Sequence, residues 1–152
     1  MMAERGDMRI FVICPVREIT DKEHRDIEHY VAQLEASGAT VHWPERDTNQ
    51  NDACGLAICE QNRKAIVDAE EIHIWWKPSS KGSLFDCGIA FGLGKRIRLA
   101  NPHQVQQTPE KSFENVLREL HDRACISDLH MDHIVECARH EVPLRDAEAR
   151  AC

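Results

Sequence analysis

Residues 71–101 read EIHIWWKPSSKGSLFDCGIAFGLGKRIRLAN. EIHIWW (71–76) and RIRLAN (96–101) are short apolar runs, the mark of buried strands. Between them SSKGSLFDCGIAFGLG divides into a turn and a helix. A strand, a helix and a second strand in that order predict a parallel pair joined by a crossover.

The same alternation extends upstream. MRIFVIC (8–14) reads as a strand. Ile27, Tyr30, Val31 and Leu34 fall at helical spacing between Asp21 and Ala36. Thr20 with Glu23 three residues on forms a capping box, and Gly38 ends the helix. ATVHW (39–43) reads as a second strand and PERDTNQND (44–52) as a polar loop. Leu56, Cys59, Ala65 and Ile66 predict a helix from Asp52 to Ala69. Downstream, PEKSFENVLRELHDR (109–123) predicts a helix with Pro109 in its first turn. ISDLHMDHIVECARH (126–140) predicts a last helix. Strands alternating with helices give an α/β fold with a parallel sheet covered on both faces. Ligands of such folds bind beyond the C-terminal ends of the strands. Here those loops are Pro15–Thr20, Pro44–Asp52, Lys77–Ser83 and Asn101–Gln107.

A chain of 152 residues is of a size for one domain. We expect that domain over residues 1–140, followed by a polar tail over 141–152. The net charge of −7 argues against a nucleic-acid polymer as partner, because a phosphate backbone attracts a basic face. A small anion remains possible, since local donors can hold one on an acidic protein. No apolar run reaches membrane-spanning length and no signal-peptide pattern opens the chain, so we expect no membrane partner and a cytoplasmic location. Seven cysteines include no CxxC pair. Cys14, Cys59 and Cys87 read as buried thiols.

Several chemical patterns fail. Gly94-Lys95 is followed by Arg96, and Ile89 stands where a Walker loop needs its first glycine. CPVREIT, after the first strand, has no glycine for a dinucleotide fingerprint. Cys14 sits where a thiol-phosphatase nucleophile lies, but Arg17 comes too soon to close a phosphate loop. His130, His133, Cys137 and His140 share one helix face. Four ligands on one straight helix cannot converge on one ion, so no metal is assigned. Neighbouring strand residues point to opposite faces. One of Trp75 and Trp76 is therefore expected in the core, while Trp76 is a candidate to line the cleft.

The segment after the third strand carries more. Ser79, Ser80 or Ser83 can cap a helix beginning near Gly82. Free amides and the helix dipole at that end attract an anion. Ser80, Lys81 and Ser83 add donors. Asp86 lies about a turn further in, on the face of Gly82 and Ser83. It is either a carboxylate beside the anion site or a first-turn acid that merely favours the dipole.

The run Gly82-Ser83-Leu84-Phe85-Asp86-Cys87-Gly88-Ile89-Ala90-Phe91-Gly92-Leu93-Gly94-Lys95 resembles the signature of the nucleoside 2-deoxyribosyltransferase superfamily. There a Gly-Thr/Ser turn leads to a catalytic glutamate, then Gly, Ala and a final Gly-Lys. Asn62, Ile66 and Ala69-Glu70 are similar to the helix before that family's third strand. The resemblance covers about residues 8–101. It implies a flavodoxin-like (Rossmann-like) three-layer sandwich with a mostly parallel sheet. It also implies chemistry at C1′ of a nucleotide or nucleoside without a cofactor. A carboxylate attacks the anomeric carbon and expels the base, and water or a second base takes the glycosyl ester. Residues borrowed from a neighbouring subunit imply a homodimer or larger homo-oligomer, with the long final helix as an interface element.

Three departures shape the expectation. Asp86 replaces the glutamate and is one methylene shorter. Ser80 stands where the transferases carry an aspartate that holds a sugar hydroxyl. Relatives that hydrolyse deoxynucleoside 5′-monophosphates have a serine there that meets phosphate, so a 5′-nucleotide is favoured. Pro15-Val16-Arg17-Glu18 replaces the usual small-residue loop, and Arg17 offers a phosphate fork or a surface charge. In the polar loop, Asp47, Asn49 or Asn51 can hold the base edge or ribose, or form Asx turns, while Asp52 can cap the next helix. The expected site is therefore Asp86 as nucleophile with Ser80, Lys81, Gly82, Ser83, Pro15, Arg17, Asp47, Asn49 and Trp76 around the substrate. The alternative is a non-catalytic nucleotide-binding or sensing protein on the same fold.

Overall fold

The computed structural model describes residues 7–139, with side chains through residue 132. The expected tail over 141–152 and the side chains of His133, Cys137 and His140 lie outside the described residues. The elements in order are β1 (Arg9–Ile13), α1 (Asp21–Ala36), β2 (Thr40–His42), α2 (Pro44–Asp47), α3 (Leu56–Asp68), β3 (Glu71–Ile74), α4 (Lys81–Gly92), β4 (Arg96–Leu99), a 3₁₀ turn (Pro102–Gln104) and α5 (Phe113–Arg139). The four strands form one parallel sheet in the order β2-β1-β3-β4. This is an α/β fold consistent with a flavodoxin-like sandwich. The strand order reverses between β1 and β3, which places the switch-point crevice at their C-terminal ends.

Alternation along β1 sorts the core into two layers. Phe11 and Ile13 pack with Ile66 of α3, Cys87 and Ala90 of α4, and Ile72, Ile74, Ile97 and Leu99 of the sheet. Ile10 and Val12 pack on the other face with Ile27 and Val31 of α1. Trp75 joins the α1 layer and Trp76 the α4 layer, so both indoles are core residues on opposite faces. The capping box at Thr20 forms as expected: Glu23 N donates to Thr20 Oγ1 at 3.1 Å and Thr20 N donates to Glu23 Oε2 at 2.8 Å.

Five local expectations are corrected. The polar loop after β2 contains a helical turn at Pro44–Asp47, because Pro44 presets φ and Asp47 turns back to accept from Trp43 N at 2.8 Å. The next helix starts at Leu56 after a left-handed Gly55, although Asp52 does cap it through Ala57 N at 2.8 Å. The two C-terminal helices are one, since Leu117, Leu120 and Ala124 keep helical spacing and no Gly or Pro interrupts them. Pro109 lies outside that helix. Asn115 folds back onto Thr108 and Glu110, and Ser112 Oγ accepts from Asn115 N instead. Cys59 is half-buried, whereas Cys14 and Cys87 are buried.

The open edge of β4 is covered by a helix rather than a fifth strand. Leu99 N donates to His121 Nδ1 at 3.0 Å, and Arg96 Nη2 donates to the Ala124 carbonyl at 2.8 Å. Beneath this cover the buried Glu71 pairs with the buried His73 and the half-buried Arg98, and Arg96 and Arg98 both pair with Asp128 of α5. Tyr30 closes the network on His73 Nδ1 at 2.6 Å. Burial pushes its phenol up to about 12. No helix among the described residues is long and apolar enough to cross a membrane.

Candidate active site

Ser80 is the N-cap of α4. Its Oγ accepts from Ser83 N at 3.3 Å and donates to Ser83 Oγ at 2.8 Å. The amides of Lys81 and Gly82, ahead of the first helical bonds, take no partner among the described residues. One face of the helix, Ser83, Asp86, Cys87 and Ala90, turns into the protein. The structure thus brings Ser80, Lys81, Gly82, Ser83 and Asp86 onto the first turns of one helix.

Asp86 is 8% exposed. Its Oδ2 accepts from Asn62 Nδ2 at 3.1 Å, and no cation pairs with it among the described residues. Oδ1 takes no hydrogen bond among the described residues. Burial raises the carboxyl pKa to about 6, only partly opposed by the Asn62 bond. Cys14, just past β1, and Cys87 feel the Asp86 charge, and burial above all pushes both thiols up to about 12. Neither is a thiolate near neutral pH, which argues against Cys14 as a nucleophile. The Trp43 indole lies beside Cys14, and its buried Nε1 has no partner of good geometry. The end of β1, the end of β2 and the α3–α4 pair therefore meet around Asp86.

The remaining expected residues are differently employed. Pro15 is buried at the end of β1. Arg17 is exposed and makes no hydrogen bond or ion pair among the described residues. It precedes Glu18, whose φ of 56° is left-handed backbone. Asp47 is bound to Trp43 N and to Arg46 at 2.9 Å; burial would raise its pKa, but these bonds hold it below the usual carboxylate range. Asn49 Oδ1 accepts from Asn51 N at 3.0 Å, an Asx turn, and Asn49 N donates to Gln61. Trp76 Nε1 donates to Glu114 at 3.0 Å. Its ring lines an apolar groove of about 430 Å³ between α4 and α5. A second groove, of about 390 Å³, lies between β2 and α3. Asp86 is in the wall of neither groove.

Lys77, Thr48 and His42 at the site had no assignment from sequence, and Asn62 entered only through the resemblance, with no role. Lys77 Nζ donates to the Glu18 carbonyl at 2.8 Å and to Glu23 at 3.1 Å, tying the β1–α1 loop to the end of β3. Asn62, Thr48 and His42 form a hydrogen-bonded line ending on Asp86. These residues belong to different elements, and spacing along a chain carries no signal for them. Lys95, which fails the Walker pattern, caps α3: Nζ donates to the Val67 and Ala69 carbonyls at 2.7 Å each. Gly94, at φ +65°, makes the turn that aims it there.

No protein-family model matches the chain, and no curated protein matches it. Among solved structures the chain is similar to the Clostridium botulinum CMP N-glycosidase BcmB, with 24% identity and a TM-score of 0.46 over 60% of this chain. The alignment takes in 66% of that protein, just under two thirds of its length.

Proposed function

We propose that the protein cleaves the N-glycosidic bond of a small 5′-nucleotide, with Asp86 as the nucleophile. The observation that carries this reading is the state of that carboxylate. It is enclosed, unpaired with any cation among the described residues, raised to about 6, and held by one oxygen while the other takes no hydrogen bond among those residues. A carboxylate with this pKa is mostly ionised at neutral pH and little stabilised by solvent, which favours attack on an electrophilic carbon. Its position supports the same reading, because α4 starts at the switch-point end of the sheet, where ligands of this fold class bind.

In this reading the 5′-phosphate lies on the free amides of Lys81 and Gly82, with the Ser80 hydroxyl and the Lys81 ammonium as further donors. Asp86 Oδ1 forms a bond to C1′ as the C1′–N bond breaks. The electron pair leaves with the base, which takes up a proton. Water, or a second base, then displaces Asp86 from C1′. In this reading Arg17, exposed in the loop after β1, meets the phosphate or stacks on the base. Asp47 and Asn49 are committed to local bonds, so their contribution to this reading is to hold the loop.

The test is incubation of the full chain with a panel of ribo- and deoxyribonucleoside 5′-monophosphates, with free base read by chromatography. Base release that disappears in Asp86→Asn supports the reading. Binding of a nucleotide with no release from any of the panel overturns it. That outcome is the second reading, a nucleotide-binding domain without turnover, which the shorter reach of Asp86, one methylene less than a glutamate, favours. Self-association belongs to the same proposal. Leu84, Phe91, Phe113 and Val116 are exposed around the α4–α5 groove and offer an apolar face to a second copy. Light scattering of the wild type and of Phe91→Asp reads this directly.

A further inference from the structure

His42 lies at the end of β2, half-buried in the wall of the β2–α3 groove. Its Nε2 is 2.8 Å from Thr48 Oγ1. Thr48 Oγ1 donates to Asn62 Oδ1 at 2.8 Å, and Asn62 Nδ2 reaches Asp86 Oδ2 at 3.1 Å. Thr48, Asn62 and Asp86 are each at most 8% exposed. We propose that His42 governs the charge on Asp86 through this line, as a positioning residue acting from a groove that Asp86 does not touch. Its part in the reaction rests on the reading of Asp86 as nucleophile; the control of charge does not.

Proton counting gives the line a direction. The single Thr48 hydroxyl proton is spent on Asn62 Oδ1, so His42 must be the donor at Nε2. Every proton then points toward Asp86, which suits a carboxylate. A protonated Asp86 suits the reverse order. Its O–H donates to Asn62 Oδ1 after the amide turns over, Asn62 Nδ2 donates to Thr48, and Thr48 donates to His42 Nε2. The reverse order needs a lone pair on His42. An imidazolium has none, so it permits only the arrangement that stabilises ionised Asp86. By linkage, ionised Asp86 in turn favours the imidazolium by an equal amount.

The surroundings of both groups fit this coupling. His42 stacks on Phe11 at 5.2 Å between ring centroids. Burial lowers its pKa, Asp47 acts to raise it and Arg46 to lower it. Arg9, Lys64 and Asp68 line the same groove. Around Asp86 the titratable neighbours are Cys14 and Cys87, both neutral thiols. Burial thus moves the two ends of the line toward each other, lowering the imidazole and raising the carboxyl.

The test reads the Asp86 side-chain carboxyl carbon by NMR across pH 4–8 in the full chain. Variants are Thr48→Val, which keeps shape and removes the hydroxyl, and His42→Phe, which keeps a ring against Phe11. Each is expected to raise the Asp86 midpoint by about 0.5 unit or more, and Thr48→Ser to restore it. In Asp86→Asn the His42 midpoint is expected to fall by a similar amount. Should Thr48→Val not fold, His42→Phe still reads the Asp86 midpoint and Asp86→Asn the His42 midpoint. Midpoints unchanged within about 0.2 unit in folded variants overturn the proposal. No step of this experiment measures base release, so relay and glycosidase readings stand or fall separately.

Discussion

Asn62 and Asp86 sit on adjacent helices, α3 and α4, and share one hydrogen bond of 3.1 Å between two side chains that are each more than nine-tenths buried. That bond fixes one carboxylate oxygen and leaves the other available. It also makes α3 part of the candidate site, although the helix supplies no charged group to Asp86.

Asp86→Asn is expected to abolish base release while keeping nucleotide affinity within a few-fold, because shape and the Asn62 contact survive. Turnover assays and equilibrium binding on the same sample check this. An affinity collapse with turnover intact would place Asp86 in binding alone.

The acid side of any rate profile should follow the Asp86 carboxyl. Its protonated form cannot attack, so activity is expected to fall as pH drops through about 6. Initial rates between pH 4.5 and 8 at saturating nucleotide locate the midpoint.

The same shift has a stability consequence of opposite sign to a salt-bridged aspartate. The folded-state pKa is raised above the unfolded value, so Asp86 costs nothing below the unfolded pKa of 3.8. The penalty grows as pH rises toward about 6 and is complete above it. Asp86→Asn should therefore stabilise the fold near pH 7 by up to about 2–3 kcal/mol. The gain should vanish near pH 4, which thermal melts at the two pH values read out.

Lys95→Met removes the ammonium that closes the C-terminus of α3. A loss of about 1–2 kcal/mol is expected, with nucleotide affinity unchanged. A phosphate-loop lysine would show the reverse pattern, little loss of stability and a large loss of binding.

Asn101 is wholly buried and bridges the ends of β3 and β4. Its Oδ1 accepts from Trp76 N at 2.8 Å, and its Nδ2 donates to the Trp76 carbonyl and to Gln104 at 3.0 Å. Asn101→Leu leaves those backbone groups unpaired, at an expected cost of about 2–4 kcal/mol in chemical denaturation.

The strands, the capping box at Thr20 and a serine cap among Ser79, Ser80 and Ser83 were legible because each is written in neighbouring residues. The alternation of β1 and the spacing in α1 follow from periods of two and 3.6 residues. What was not legible depends on elements meeting in space. The role of Lys95 requires α3 to end beside β4, and the line from His42 to Asp86 joins β2, the loop after α2, α3 and α4. The continuous α5 was hidden because the runs on either side of Ala124-Cys125 each read as a complete helix, and nothing local shows that β4 needs a cover. Trp76 was drawn toward the cleft by its place at a strand end, but a second packing partner, α5, takes it.

That cover also decides how the sheet can meet other molecules. With α5 laid along β4, a foreign strand finds no open ladder on that side. The opposite border is the three-residue β2, too short to template a long pairing. A parallel sheet so finished resists growth by strand addition, which leaves the helical faces as the surfaces on which contacts with other chains would form.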